Sequence, residues 1–174
     1  MRGDESARTA VRPYRPEDLD PVVELWYATW HATFPDLTHH EPKDEWRRRF
    51  ETEIAAEEQV FVAEVDGQLA GFLALKDRGG GQGYLHEIFV EPEYQHRGIG
   101  SILMRLAKEL APAGLRLHTL QRNARAAAFY ERHGFTVLST GIGRVGLPNA
   151  LYVWEPPAKR ADVSAEQPRP AGPA

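Results

Sequence analysis

Between positions 91 and 107 the chain reads Glu-Pro-Glu-Tyr-Gln-His-Arg-Gly-Ile-Gly-Ser-Ile-Leu-Met-Arg-Leu-Ala. A short apolar run (Leu85, Ile88, Phe89, Val90) gives way here to apolar residues at helical spacing (Ile99, Ile102, Leu103, Leu106, Ala107, Leu110). Gly98 and Gly100 stand at the junction. A strand that turns into a helix at this point presents the first helical N–H groups without intrahelical partners, at the positive end of the helix dipole. Glycine lets that backbone approach an anion closely. The residues Gln95, His96, Arg97, Gly98, Ile99 and Gly100 are therefore candidates for a phosphate cradle. A tight strand-to-helix connection that binds nothing has the same local signature. A second set lies downstream, where Asn123 and Tyr130 are seven apart on a helix-patterned segment and share one face, two turns apart. A long ligand lying beside that helix could touch both. Each also has a structural reading: Asn123 as an N-cap, Tyr130 as a core aromatic.

The elements that must position these residues follow from periodicity and punctuation. A first strand runs from Thr9 to Tyr14. A helix opens at Arg15-Pro16-Glu17-Asp18, carries Leu19, Val22, Val23, Trp26 and Trp30 on one face, and stops at Phe34-Pro35. A second helix, about 42–56, has Trp46, Phe50 and Ile54 as its stripe. Strands at 60–65 and 69–75 flank Asp66-Gly67, a hairpin signal. The glycine-rich stretch 77–83 reads as a loose, mobile hairpin loop, not a nucleotide site, because no helix follows it. Then come a central strand (about 84–91), the glycine turn, a helix to Ala111, and a strand at 115–120. A helix from Asn123 to His133 is closed by Gly134, and strands at 135–140 and 151–154 follow, with a flexible loop at 141–149 between them. Antiparallel hairpins followed by strand–helix–strand units predict a single α/β (α+β) domain: a mixed, mostly antiparallel sheet of six to seven strands, with about four helices on both faces. Domain limits are expected at 9–155, with a disordered N-terminus (1–8) and a disordered Pro/Ala-rich tail (156–174).

Composition bounds the function. The chain has 174 residues, 42% apolar and 26% charged, with a net charge of -4, so nothing pulls it toward nucleic acid or anionic membranes. The absence of cysteine removes thiolate metal sites and a cysteine nucleophile, and with the lack of a signal-peptide core it suggests a cytoplasmic protein. The histidines, including His39-His40, lack metal-ligand spacing, and no metal is expected.

The Gln-x-x-Gly-x-Gly pattern at 95–100 resembles the acyl-CoA diphosphate loop of the GNAT superfamily of N-acetyltransferases. The segment Asn123 to Phe135, with Phe129-Tyr130 and Gly134-Phe135, resembles the family's second hallmark, and the predicted element order matches the family's over about residues 9–155. The resemblance implies transfer of an acetyl group from acetyl-CoA to an amine. It implies that amides at 95–100 hold the CoA diphosphate, that backbone groups of Ile88, Phe89 and Val90 pair with the pantetheine arm beside a bulged strand, and that Asn123 and Tyr130 contact the arm and the sulfur. Arg122 and Arg125 read as solvated charges that could approach a CoA phosphate.

An attacking amine must first lose its proton. Glu87, on the central strand among apolar neighbours, is the preferred acceptor, since burial raises a carboxylate pKa; a purely structural role is the alternative. His86 should face away from Glu87 by strand alternation, and His118 could also reach the slot. Tyr130 can supply a hydrogen bond or proton to the leaving thiolate. An N–H of Ile88 or Phe89 can polarise the thioester carbonyl. The resemblance assigns the acceptor walls to the first helices and the loop before the last strand, which offer Trp30, His31, Phe34 and Arg144. The acceptor is expected to be a small-molecule or peptide-like amine, and homodimers are common in such proteins. A non-catalytic acyl-CoA-binding module is the competing reading. A nucleotide site at Gly98-Gly100 would lack the Lys and Ser/Thr of a phosphate-binding loop.

Overall fold

The computed structural model describes residues 8–37, 41–143 and 146–157. Most of the expected N-terminal extension and tail, His39-His40 and Arg144 lie outside the described residues. Seven strands form one sheet in the order β1-β2-β3-β4-β5-β7-β6. They are β1 (Thr9–Pro13), β2 (Gln59–Val65), β3 (Gln68–Gly79), β4 (Gln82–Val90), β5 (Gly114–Leu120), β6 (Thr136–Ile142) and β7 (Pro148–Trp154). All neighbours are antiparallel except β4 and β5. The expected mixed, mostly antiparallel sheet is present.

Two helical layers cover it. On one face lie α1 (Leu19–Thr33) and a second helix, which begins as α2 (Lys43–Arg49), widens into a π-turn (Phe50–Ile54) and ends as the single turn α3 (Ala55–Glu57). An every-fourth-residue stripe drifts around a 3.6-residue helix. The turn closed by Ala55 N–H to the Phe50 carbonyl winds the stripe back, and Trp46, Phe50 and Ile54 are all buried. They meet Val22, Val23 and Trp26 of α1 and Val62, Phe72 and Ala74 of the sheet. Phe50 and Phe72 pack edge-on with centroids 5.7 Å apart; Phe50→Ala would cost about 3–5 kcal/mol through the cavity it leaves. The other face carries α4 (Ile99–Leu110) and α5 (Ala124–Arg132), which pack Ile99, Leu103, Met104 and Tyr130 against Leu73, Leu85, Leu115 and Leu117.

Two stretches expected to be loops are mostly ladder. β3 and β4 continue through Gly79 and Gln82 and are joined by Gly80-Gly81, both at positive φ (+61° and +77°). Glycine here serves a two-residue turn, so the loose loop at 77–83 is corrected to a tight hairpin. Likewise β6 and β7 pair as far as Ile142 and Pro148, so the loop expected at 141–149 gives up residues at both ends to the ladder. The Asp66-Gly67 turn has φ of +51° and +81°, as its sequence required.

The feature that builds the site is the behaviour of β4. Its parallel pairing with β5 covers only Gln82, Gly83 and Tyr84, opposite Gly114, Leu115 and Arg116. Against β3, Glu87 pairs with Ala74 and Leu85 with Leu75, so His86 is the extra residue of a β-bulge. From this point β4 and β5 diverge. The opening therefore starts at the bulge. Gly83 sits in the middle of the three closed rungs, where there is no room for more: a Cβ there would lie 2.7 Å from the Ala111 Cβ.

Candidate active site

The divergence of β4 and β5 opens a cavity of about 710 Å³. Its walls come from both sheet faces, which only a gap in the sheet allows. Glu87, Ile88 and Phe89 of β4, His118 and Leu120 of β5, Asn123 and Tyr130 of the α5 segment, Trp30 of α1 and Phe34 just after it all line it. His86 lines it too. The bulge cancels the simple alternation that had sent His86 and Glu87 to opposite sides.

The register shows which backbone groups of β4 face the gap. Glu91 N–H bonds the Ala70 carbonyl of β3, 2.9 Å away, so the pair Glu91/Ala70 belongs to the hydrogen-bonded rungs. Antiparallel alternation then turns Phe89 toward β3 and turns Ile88 and Val90 toward the open side. A Cβ on Gly71 of β3 would strike the Phe89 carbonyl oxygen at 2.6 Å, which agrees. The expectation that Phe89 offers backbone groups to a ligand is thus corrected: its backbone serves the sheet and its side chain serves the cavity. The Val90 carbonyl already accepts from Gln95 Nε2 at 2.7 Å; its N–H points to the same edge.

At the end of β4 the chain makes a 3₁₀ turn (Pro92–Tyr94) and enters α4. His96 and Gly98 both have positive φ (+62° and +83°). Gly98 is the N-cap of α4 with its left-handed backbone, and a Cβ there would meet no described atom within 4 Å. Gly98 is therefore demanded by its backbone angle, not by crowding. Gly100 is demanded by packing, since a Cβ would stand 3.2 Å from the Phe129 ring of α5. No side chain caps the N-terminus of α4, so its first N–H groups keep the dipole's positive end available to an anion. The side chain of Gln95 is fixed between the Val90 carbonyl and the Arg125 guanidinium. Arg97 lies over the Tyr94 ring at 5.4 Å. Arg122 is committed to Asp36 at 2.6 Å.

Asn123 caps α5, its Oδ1 accepting from Ala126 N–H at 3.1 Å, and it also borders the cavity. Tyr130 shares that wall, as the seven-residue spacing predicts. Tyr130 is buried among Phe129, Phe135 and Tyr152. Burial first, and the nearby Glu87 second, push its pKa above the usual tyrosine range. Glu87 is pushed up to about 7, mainly by burial; the negative Glu58 adds to this, and His86 and Arg49 oppose it. The carboxyl group thus changes charge near neutrality, as an acid–base group should.

The aromatic wall is partly as expected. Trp30 and Phe34 face the cavity, with ring centroids 5.4 Å apart. His31 does not line it. Its Nδ1 sits 2.7 Å from the Tyr27 carbonyl and its ring packs tilted against Tyr27, with centroids 4.1 Å apart, because one position along a helix turns a side chain about 100° away. Several neighbours escaped sequence reasoning. Arg49 of α2 enters the cavity wall and pairs with Glu41 at 3.2 Å. Tyr84 bonds the His118 Nδ1 at 2.9 Å. Glu58 holds His86 at 2.7 Å. Glu58 had no local signal, since it lies at a helix end and acquires its role only through the bulge 28 residues later.

Residues 19–135 match the model of the acetyltransferase (GNAT) family. The chain belongs to this family. It is similar to the peptidyl-lysine N-acetyltransferase YiaC of Escherichia coli, with 28% identity over 150 residues, covering 83% of this chain and 95% of the relative. The spermidine N(1)-acetyltransferase of Thermoplasma acidophilum is 27% identical over 145 residues, covering 75% and 89%. Among solved structures, the PaiA N-acetyltransferase of Thermoplasma acidophilum in complex with coenzyme A superposes with a TM-score of 0.68 at 21% identity, covering 85% of this chain and 99% of that one. GNAT membership carries the general activity, acetyl transfer to an amine, and weighs against a non-catalytic binding module. No helix among the described residues is long and apolar enough to cross a membrane.

Proposed function

We propose that this GNAT protein is an acetyl-CoA-dependent N-acetyltransferase for a primary amine on a small molecule or a peptide-like acceptor, acting by direct attack in a ternary complex. The observation that supports this reading most is the joint placement of Glu87, Ile88, Asn123 and Tyr130 on one cavity that opens where β4 leaves β5. The residues present suit CoA. The uncapped N-terminus of α4 and the Gly98 turn would take the diphosphate, and the open edge of β4 at Ile88 and Val90 would pair with the pantetheine amides as an added strand.

In this reading Glu87 takes the proton of the entering ammonium group. The amine nitrogen attacks the thioester carbon, whose oxygen is polarised by the Ile88 N–H; a C–N bond forms and the C–S bond breaks. Tyr130 donates to the departing sulfur, which leaves as the thiol. Trp30 and Phe34 pack the carbon skeleton of the acceptor. The names of the relatives point to lysine side chains and polyamines as amines of the right type. A polyamine would bring several cations into a site where Glu41 is already paired with Arg49, which favours an acceptor with a single ammonium group and an apolar body. The test is thiol release from acetyl-CoA with a panel of phenethylamine, spermidine and a lysine peptide. Phenethylamine or the peptide should be preferred, and spermidine turning over best would reverse the preference.

A further inference from the structure

Acetylation of an ammonium ion strips two protons from nitrogen. One ends on sulfur and the other must reach solvent, so the site needs a second group that can hold and release a proton. Glu87 accounts for one. The adjacent His86 is on the same cavity because of the bulge, and it remains 41% exposed. Its Nδ1 lies 2.7 Å from Oε1 of Glu58. With Nδ1–H donating to the carboxylate, the lone pair of Nε2 is left free to accept a proton.

Glu58 itself is hard to explain as a stabilising residue. Its side chain is only 4% exposed, yet Oε2 has no hydrogen-bond partner among the described residues. Burying a carboxylate with one partner costs more than it returns unless the charge has a task. We propose that His86, oriented by its hydrogen bond to Glu58, is the second proton acceptor of this active site and passes its proton to water. His86 is then a catalytic residue and Glu58 a positioning residue. The inference rests on the acetyltransferase reading given above.

The surroundings support it. Facing the imidazole are Glu58 at the end of α3, Glu87 and Tyr84 on β4, His118 on β5 and Arg49 on α2. The bond to Glu58, then Glu87, raise the His86 pKa above its ordinary value; burial and Arg49 oppose them. Part of the Arg49 charge is answered by Glu41. Protonation of His86 in turn helps Glu87 to ionise, so the proton held by one group favours its absence from the other.

The experiment compares wild type with His86→Gln, Glu58→Gln and Glu58→Asp. Turnover is measured from pH 5.5 to 9 with acetyl-CoA and phenethylamine, spermidine or a lysine peptide, and the His86 ring nitrogens are followed by NMR. His86→Gln should lower kcat about 100-fold with an unchanged KM for acetyl-CoA. Glu58→Gln should lower the imidazole pKa and move the acidic limb of kcat to lower pH by the same amount; Glu58→Asp should restore part of both. A wild-type imidazole that titrates at or below about 6.5, or that Glu58→Gln does not move, overturns the proposal whatever the acceptor. So does a wild-type pH profile in His86→Gln alongside a crippled Glu87→Gln. If CoA binds but none of the three probes is acetylated by wild type, the acetyltransferase reading is what fails, and the dyad is then decided by the imidazole titration alone.

Discussion

The proposed donor end of the site, at the start of α4 and outside the lining of the cavity, and the proposed acceptor end, inside the cavity, are built by different means. The end near α4 is made of backbone: a left-handed Gly98, an uncapped helix N-terminus and the unpaired edge of β4. The end near α1 and α2 is made of side chains: Trp30 and Phe34, with Arg49 and Glu41 at its rim. A backbone site tolerates changes in most side chains and fixes one chemical group, here the proposed anion. A side-chain site can be re-shaped by single substitutions and so sets which acceptor enters. It follows that changes at the first end should damage donor binding for every acceptor, whereas changes at the second should alter the order of preference among acceptors.

The largest expected effect tests the backbone end. Gly98→Glu adds a carboxylate where a diphosphate is proposed to lie and forces a side chain onto a φ of +83°. CoA binding measured by calorimetry should weaken by more than about 100-fold, a difference of over 2.8 kcal/mol. The backbone strain itself costs only about 1–2 kcal/mol, so the protein should remain folded in a thermal melt. Gly98→Ala carries the strain without the charge and should bind CoA much better than Gly98→Glu. Equal loss in both would mean that the turn geometry, not the anion contact, is what matters, and the comparison between the two ends would break there.

Next in size is the chemistry between the ends. Glu87→Gln should lower kcat by about 10²–10³-fold with acetyl-CoA affinity unchanged. Because the group ionises near 7 and is proposed to act as a base when deprotonated, wild-type kcat/KM should rise with pH through that region and fall away below it. A flat profile from pH 5.5 to 8 would remove Glu87 from the role. Tyr130→Phe should cost less, about tenfold, since a thiolate leaves with little help. Its loss should be confined to kcat. Trp30→Ala is expected to change the KM for phenethylamine about tenfold while sparing acetyl-CoA, as loss of one aromatic contact surface would. An equal change in the acetyl-CoA KM would show that the two ends are not separable.

The same division explains what the sequence made legible. The order of elements, the Asp66-Gly67 turn, the α4 junction and the Asn123–Tyr130 face follow from periodicity and from glycine, which are local signals. The alternation of Leu115, Arg116, Leu117 and His118 is likewise seen in their burial. The bulge at His86 has no such signal: it depends on how β3 and β4 share a register, and it alone decides that His86 and Glu87 line one cavity. His31 was misplaced because a cluster of aromatics in sequence spreads around a helix, and only packing against Tyr27 and Trp46 shows which of them faces inward. The glycines at 79–81 were legible as a break but not as a tight turn, since several glycines in a row fit both. Glu58 and Arg49 reach the site across the tertiary fold, beyond any window of sequence.

The smallest expected effect is a change in stability, and it separates the carboxylate proposed as the base from the structural ones. Burial raises the Glu87 pKa from its ordinary 4.5 to about 7. In the folded state the group therefore keeps its proton across a pH range in which the unfolded chain has lost it. The folded state binds more protons than the unfolded one between these values, so this residue makes the protein less stable as pH rises through that window, with the full penalty present above about 7. Asp18 has the opposite sign. Its hydrogen bonds to Arg12 hold its pKa below the usual carboxylate value, so its contribution is present at neutral pH and lost as pH falls through its lowered pKa. Glu87→Gln should thus raise the melting temperature at pH 8, by a few degrees for about 1 kcal/mol in a chain of this length, and leave it nearly unchanged at pH 4.5, where Glu87 is already neutral. Asp18→Asn should lower it at pH 8. The sign of the difference is the informative part: a Glu87→Gln protein that is less stable than wild type at pH 8 would mean that the ionised carboxylate is held by partners for the sake of the fold, and the site would lose its candidate base even if turnover also fell.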